Sequence, residues 1–211
     1  MATWFTSDLH FGHANIIKYS KRPFHDLAHM HETLIDRWNQ VVSTDDDVWV
    51  LGDLAMGDIE DSLALVRRLH GQKILVSGNH DRCWMFHGAK HQPWIDRYRD
   101  AGFDEILQGE VAFQLGDTSV GVCHFPFHGD SHYDDRYTHA RPVDNGQWLL
   151  HGHVHGSWKQ WGRMINVGTD VWGYQPVAAE VLSELVRQGP EDRERSNNSQ
   201  TCAQPDQYPL E

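Results

Sequence analysis

Short apolar, β-branched runs alternate with stretches of helical periodicity through the first half of the chain, and mostly β-type runs follow. That order predicts a layered α/β domain containing mixed sheets. Predicted strands cover Thr3–Ser7, Val48–Leu51, Lys73–Ser77, Ala112–Leu115, Ser119–Cys123, Gln147–Leu150 and Met164–Val167. Met30, Leu34, Trp38 and Val41 recur at helical spacing. Ile59, Leu63, Val66 and Leu69 do the same, between a candidate N-cap at Asp58 and a stop at Gly71. A third helix is expected over Ile95–Ala101. The polar, turn-rich stretch His128–Pro142 reads as a loop. From residue 189 the composition shifts to Glu, Arg, Asn, Ser, Gln and Pro. The expected organisation is one domain over residues 1–188 and a disordered tail over 189–211.

Composition narrows the function. A chain of 211 residues is long enough to bury a real core. A net charge of −12 without a Lys/Arg cluster argues against an extended nucleic-acid footprint and leaves a small substrate as the expected partner. No run of about 18 apolar residues is present, so no membrane span is expected. MATWFTSDLH lacks the basic and apolar segments of a signal peptide, and a cytoplasmic protein is expected. Cys83, Cys123 and Cys202 are scattered and odd in number, which suits reduced thiols. The unusual feature is 16 histidines against 18 Lys plus Arg, because histidine is a common metal ligand.

Their placement is more telling than their number. Asp8-Leu-His10 follows the first predicted strand, and Gly52-Asp53 follows the second. Gly78-Asn79-His80-Asp81 follows the third, His124 follows Ser119–Cys123, and Gly152-His153-Val154-His155 follows Gln147–Leu150. Ligands of α/β sheets gather outside the carboxyl ends of strands. Side chains two apart on extended backbone point the same way, so each of the i, i+2 pairs Asp8/His10 and His153/His155 can present two donors to one ion. Glycines before Asp53, Asn79 and His153 suit tight turns or a close approach. Carboxylate, imidazole and amide oxygen without thiolate select ions such as manganese, iron or zinc. Polar turns could supply Gly, Asn and Asp for structural reasons, but turns do not need four histidines.

With these motifs in order from Trp4 to Val177, and with TSDLHFGHANIIKYSKRPF and DDDVWVLGDLA around the first two, the chain resembles the calcineurin-like metallophosphoesterase superfamily, in particular its small phage and bacterial members. The resemblance implies a four-layer α-β-β-α sandwich of two mixed β-sheets flanked by helices. It implies that Asp8, His10 and His155 hold one divalent metal, that Asn79, His124 and His153 hold a second, and that Asp53 bridges them. Manganese is the first expectation, with iron, zinc or nickel also admitted. The implied reaction is hydrolysis of a phosphate ester by a metal-bound hydroxide, with two ions clamping the phosphate.

The resemblance also assigns His80 to the substrate, as the group that contacts phosphate and protonates the leaving oxygen. Several branches of the superfamily orient that histidine with an acidic residue three positions after the bridging aspartate; here that position is Met56, and Asp58 or Asp81 would have to substitute. His13 and Arg82 are candidate substrate contacts. His128, His132, Tyr133 and Arg136 could form a specificity wall, and Trp172 could stack on a base. The expected activity is that of a phosphodiesterase acting on nucleotide or cyclic-nucleotide diesters. The alternatives are a phosphomonoesterase with the same site and a non-catalytic protein-binding module on the same scaffold; the full set of seven ligands disfavours the last.

Overall fold

The structure is a computed structural model that describes residues 1–191. The first half of the chain builds one sheet. Strands β1 (Thr3–Thr6), β2 (Asp47–Val50), β3 (Gln72–Val76) and β4 (Glu105–Leu107) lie side by side and parallel, in register Thr6 to Val50 and Val50 to Leu75. Parallel strands need crossovers, and helices α1 (Ile16–Tyr19), α2 (Leu27–Val41), α3 (Ile59–Ala64) and α4 (Gln92–Ala101) provide them. The second sheet follows as β5 (Val111–Leu115), β6 (Thr118–Val122), β7 (Trp148–His151), β8 (Gln160–Trp161) and β9 (Met164–Asn166), ordered β5-β6-β7-β9-β8. Here β6, β7 and β9 are parallel while the two edge strands are antiparallel. The chain then returns to the first sheet as β10 (Val177–Ala178), antiparallel to β1, and ends its described part in α5 (Ala179–Gln188). Two five-stranded mixed sheets with helices are the fold class expected from the sequence.

Alternation along each strand decides which layer a side chain enters. Val48, Val50 and Leu75 turn toward the helices and pack with Met30, Leu34 and Trp38 of α2. Phe5, Leu51 and Val76 turn the other way and meet Val120, Val122, Leu150 and Ile165 of the second sheet. Both faces of β2 are thus buried, which is why its sequence reads as a nearly unbroken apolar run. Leu149 and Met164 face outward from the second sheet and are covered by Trp84, Phe125, Tyr137 and Ala140, so irregular chain closes much of that side. Truncating a fully buried Ile165 to Ala would cost about 2–5 kcal/mol.

The seven predicted strands and three predicted helices are all present, with boundaries shifted by a few residues. Asp58 does cap α3, accepting from the Asp61 N–H, but the predicted helix tightens into a 3-10 turn at Leu65–Arg68. β4, β8, β10, α1 and α5 were not expected. Of these, α5 shows Leu182 and Leu185 at helical spacing and Gly189 past its end, yet it fully buries only Leu182. The expected tail lies, from residue 192 onward and including Cys202, outside the described residues. Before it, Glu191 still forms an antiparallel bridge with Gly162.

Candidate metal centre

Because β1, β2 and β3 are parallel, their carboxyl ends open on one edge of the first sheet, and β6 and β7 open on the matching edge of the second. The two edges are joined directly. Ser7 bridges Gly168, and its carbonyl accepts from the Thr169 N–H at 2.9 Å. Both carboxylate oxygens of Asp8 accept from the His153 N–H, at 3.2 and 3.0 Å. His124 places Nδ1 2.7 Å from the Leu51 carbonyl. Residues 145 apart in the chain, Asp8 and His153, therefore share one wall of the site.

The local backbone is not the extended one expected. Asp8, His10, Asp53, His153 and His155 have φ of 58°, 54°, 53°, 71° and 49°. They are left-handed, so Asp8 and His10 converge through a tight turn rather than through the two-residue period of a strand; His155 joins their group, whereas His153 turns instead toward His124 and Asp130, so this pair does not face one ion. Each such residue costs roughly 1–3 kcal/mol, a price borne where function over-determines the backbone. The glycines serve mainly close approach. A Cβ on Gly152 would lie 2.0 Å from Ser7 Oγ and 2.6 Å from Asp8 Oδ2. A Cβ on Gly78 would lie 2.4 Å from Asp53 Oδ1.

These turns bring six of the expected ligands together, and the ring of the seventh, His153, lies 5.3 Å from that of His124. Ligand atoms of Asp8, His10 and His155 lie within 4.8 Å of one another, and so do those of Asp8, Asp53 and His124. Asp53 sits between the two halves: Oδ2 is 3.8 Å from His10 Nε2, and Oδ1 is 3.5 Å from His124 Nε2. Asn79 Oδ1 lies 3.2 Å from the same His124 nitrogen. Six of the seven are buried, and His155 nearly so. Burial and neighbouring cations hold the His10 pKa well below the ordinary value, which keeps it neutral and able to donate a lone pair. Burial raises the Asp53 carboxyl, but His124 and His80 more than offset this and leave it lowered, hence anionic.

The donor set fits divalent metal. Both ring nitrogens of His10 are buried without a hydrogen-bond partner, a costly arrangement for an imidazole unless a ligand takes one of them. Two carboxylates, one amide and four imidazoles match ions of borderline hardness.

Carboxylates that the sequence did not single out fix two of these histidines. His155 Nδ1 lies 3.4 Å from Asp170 Oδ2, and Asp170 is clamped by Arg22 through Nε at 2.9 Å and Nη2 at 2.8 Å. Arg22 is buried and also donates to the carbonyls of Asp8 and Leu9, at 2.6 and 3.0 Å. Burial opposes charge on His155, but the Asp170 hydrogen bond and the Asp8 charge raise its pKa overall. His153 Nε2 lies 2.9 Å from Asp130 Oδ2. No spacing rule links residues 22, 130 and 170 to the histidine motifs, and only the fold brings them there.

His80 lines the site with a side chain 38% exposed, its Nε2 3.9 Å from Asp53 Oδ2. Neither suggested substitute for the carboxylate missing at Met56 is free to orient it. Asp58 caps α3, and the buried Asp81 accepts from the N–H groups of Asp53, Leu54 and Gly78. Burial and the nearby Asp53 push the Asp81 pKa up to about 7. His13 does reach the site: its ring is 5.3 Å from that of His10, its Nδ1 is buried without a partner, and burial lowers its pKa to about 4. Arg82 is exposed, two residues beyond His80.

Of the suggested specificity wall, Arg136 bonds Asp130 and His128 packs edge-on to Trp161, whereas Tyr133 stands fully in solvent. Trp172 is committed to packing, with Nε1 on the Asn166 carbonyl and Lys159 Nζ 3.6 Å above its ring. No helix among the described residues is long and apolar enough to cross a membrane.

Residues 1–173 match the profile of the calcineurin-like phosphoesterase superfamily domain. The chain is 34% identical over 206 residues to the Gene 66 protein of Mycobacterium phage L5, covering 87% of this chain and 93% of the phage protein. It is 32% identical over 192 residues to an uncharacterized protein of Methanocaldococcus jannaschii, covering 87% and 90%. A crystal structure of a protein of unknown function from Aquifex aeolicus superposes with a TM-score of 0.65 at 25% identity, covering 87% of this chain and 98% of that one.

Proposed function

Since the chain belongs to the calcineurin-like phosphoesterase superfamily, and is thus of a metal-dependent phosphoesterase family, we propose that it is a phosphodiesterase using two divalent ions, manganese first among them. Asp8, His10 and His155 would hold one ion, Asn79, His124 and His153 the other, and Asp53 both. The observation that carries this reading is the position of Asp53, whose two oxygens face His10 and His124 on opposite sides. Two bound cations would supply an activated water and polarise the phosphate.

The chain's own groups do the rest. His80 stands at the open side of Asp53 and gives a proton to the leaving oxygen. His13, neutral at pH 7, offers a ring nitrogen to a phosphate oxygen, and Arg82 adds positive charge at the mouth. With only Asp8 and Asp53 as anionic ligands, two divalent ions leave the site positive, which draws an anionic ester into an otherwise acidic protein. A small nucleotide or cyclic-nucleotide diester fits the lack of a basic footprint, and the cytoplasm is the proposed location.

The test compares bis(p-nitrophenyl) phosphate with p-nitrophenyl phosphate, each with and without manganese. Manganese-dependent turnover of the diester, faster than of the monoester, is expected. Faster monoester turnover makes the protein a phosphomonoesterase, and no turnover of either with any divalent metal overturns the enzymatic reading.

A further inference from the structure

Asp130 belongs to the loop after β6 and lies outside every motif described above. Its side chain is fully buried, although the loop around it is largely exposed. Its oxygens collect donors from three directions. His153 Nε2 is at 2.9 Å, Arg136 Nη2 at 2.8 Å and Arg141 Nη2 at 3.2 Å. The backbone N–H groups of His132 and Arg136 add two more, both at 3.1 Å.

A carboxylate can only accept, so the proton of a neutral His153 must sit on Nε2. That leaves Nδ1 with its lone pair, and the hydrogen bond also stops the ring from turning. The same logic applies to the other half of the site, where Asp170 accepts from the Nδ1–H of a neutral His155 and would leave the lone pair on Nε2. With both rings neutral, the two histidines of one Gly-His-Val-His motif would offer opposite ring nitrogens, each selected by a different carboxylate.

Resting on the two-metal reading above, we propose that Asp130 is a positioning residue for the second metal: it fixes the tautomer and ring orientation of His153, and through Arg136 and Arg141 it makes the 128–142 loop part of that ion's support. The alternative, that Asp130 merely staples its own loop with two arginines, predicts no selective effect on either ion. Asparagine in its place puts an NH₂ group among donors. Where that NH₂ faces His153, Nε2 has to accept from it, which moves the ring proton to Nδ1, where it blocks the lone pair; where it faces Arg136 instead, it breaks the tie to the loop.

The test is calorimetric titration of the full-length, chelator-stripped protein with manganese chloride, paired with ¹⁵N spectra of the histidine rings. In Asp130→Asn one of two manganese affinities is expected to fall about 10–100-fold, the size found when an outer hydrogen-bond partner of a ligand is lost, while the other stays close to wild type. The metal-free His153 ring is expected to change from the Nε2–H to the Nδ1–H form. In a His153→Ala background the same substitution should change neither affinity further, because non-additivity marks residues acting through one another. Asp170→Asn should weaken the other site instead.

Unchanged affinities in both Asp130→Asn and Asp130→Ala overturn the proposal. So does an equal loss in the His153→Ala background, which would mean that the loop acts by packing alone. A wild-type protein that takes up no divalent ion overturns the two-metal reading itself and this inference with it, a result distinct from two intact sites in the variants.

Discussion

Asp53 Oδ1 lies 3.5 Å from His124 Nε2, a contact between a loop of the first sheet and a loop of the second. Asp53→Asn keeps the shape and tolerates the left-handed backbone (φ 53°) but removes the charge that lies between the two proposed cation positions. Metal analysis is expected to fall from about two ions per chain to one or fewer. Turnover is expected to fall about 10³-fold or more, in line with several kcal/mol of lost charge stabilisation. Two retained ions with unchanged turnover would remove Asp53 from the bridging role.

His80 is separable from the ligands. His80→Ala should leave metal content near two per chain while lowering turnover by about 10²–10⁴-fold. A nitrophenolate leaves with little help and a ribose hydroxyl needs a proton, so the loss should be larger on a nucleotide diester. Equal losses on both esters would assign His80 to holding phosphate only, and loss of an ion would make it a ligand.

Arg22 and Asp170 form an ion pair whose side chains are 0% and 3% exposed. Arg22→Ala strands the carboxylate and should destabilise the fold by about 3–5 kcal/mol, whereas Arg22→Ala with Asp170→Asn should recover part of that loss. Urea unfolding of the three proteins checks it: a single variant as stable as wild type would show that solvent reaches Asp170 readily.

His10 combines a left-handed backbone with two unpartnered buried nitrogens. His10→Gly relieves both, the first worth about 1–2 kcal/mol and the second about 1–3 kcal/mol. In a chelating buffer the variant should melt higher than wild type, by roughly 2–4 °C per kcal/mol gained. With excess manganese the order should reverse, since only wild type gains full binding energy. A lower midpoint for the variant in chelator would mean that packing of the imidazole outweighs the strain.

Much of this was legible because strand-forming runs end in short polar words, and the words carry the ligands. The pattern of Thr3–Ser7 before Asp8, and of Gln147–Leu150 before His153, located both the sheets and the site they open on. What it did not convey was the turn geometry: Asp8 and His10 converge by left-handed turns, which a two-residue spacing does not distinguish from a strand. Nor could it convey Arg22, Asp130 and Asp170: the bonds Arg22–Asp8, Asp130–His153 and Arg22–Asp170 span 14, 23 and 148 residues. β4 and β10 stayed hidden for a related reason: strands of three and two residues carry too little alternation to stand out until a neighbour pairs with them.

The hydrogen bond between Asp8 and His153 spans 145 residues of chain. On a ribosome adding roughly 5–20 residues per second, Asp8 emerges about 7–30 s before its partner exists. If the early parallel strands pair in that interval, Asp8, His10 and Asp53 would form an open carboxylate-imidazole hook for any cation present. Ion content would then depend partly on what the nascent chain meets first, and refolding the denatured protein in one metal at a time isolates that kinetic choice from the equilibrium preference.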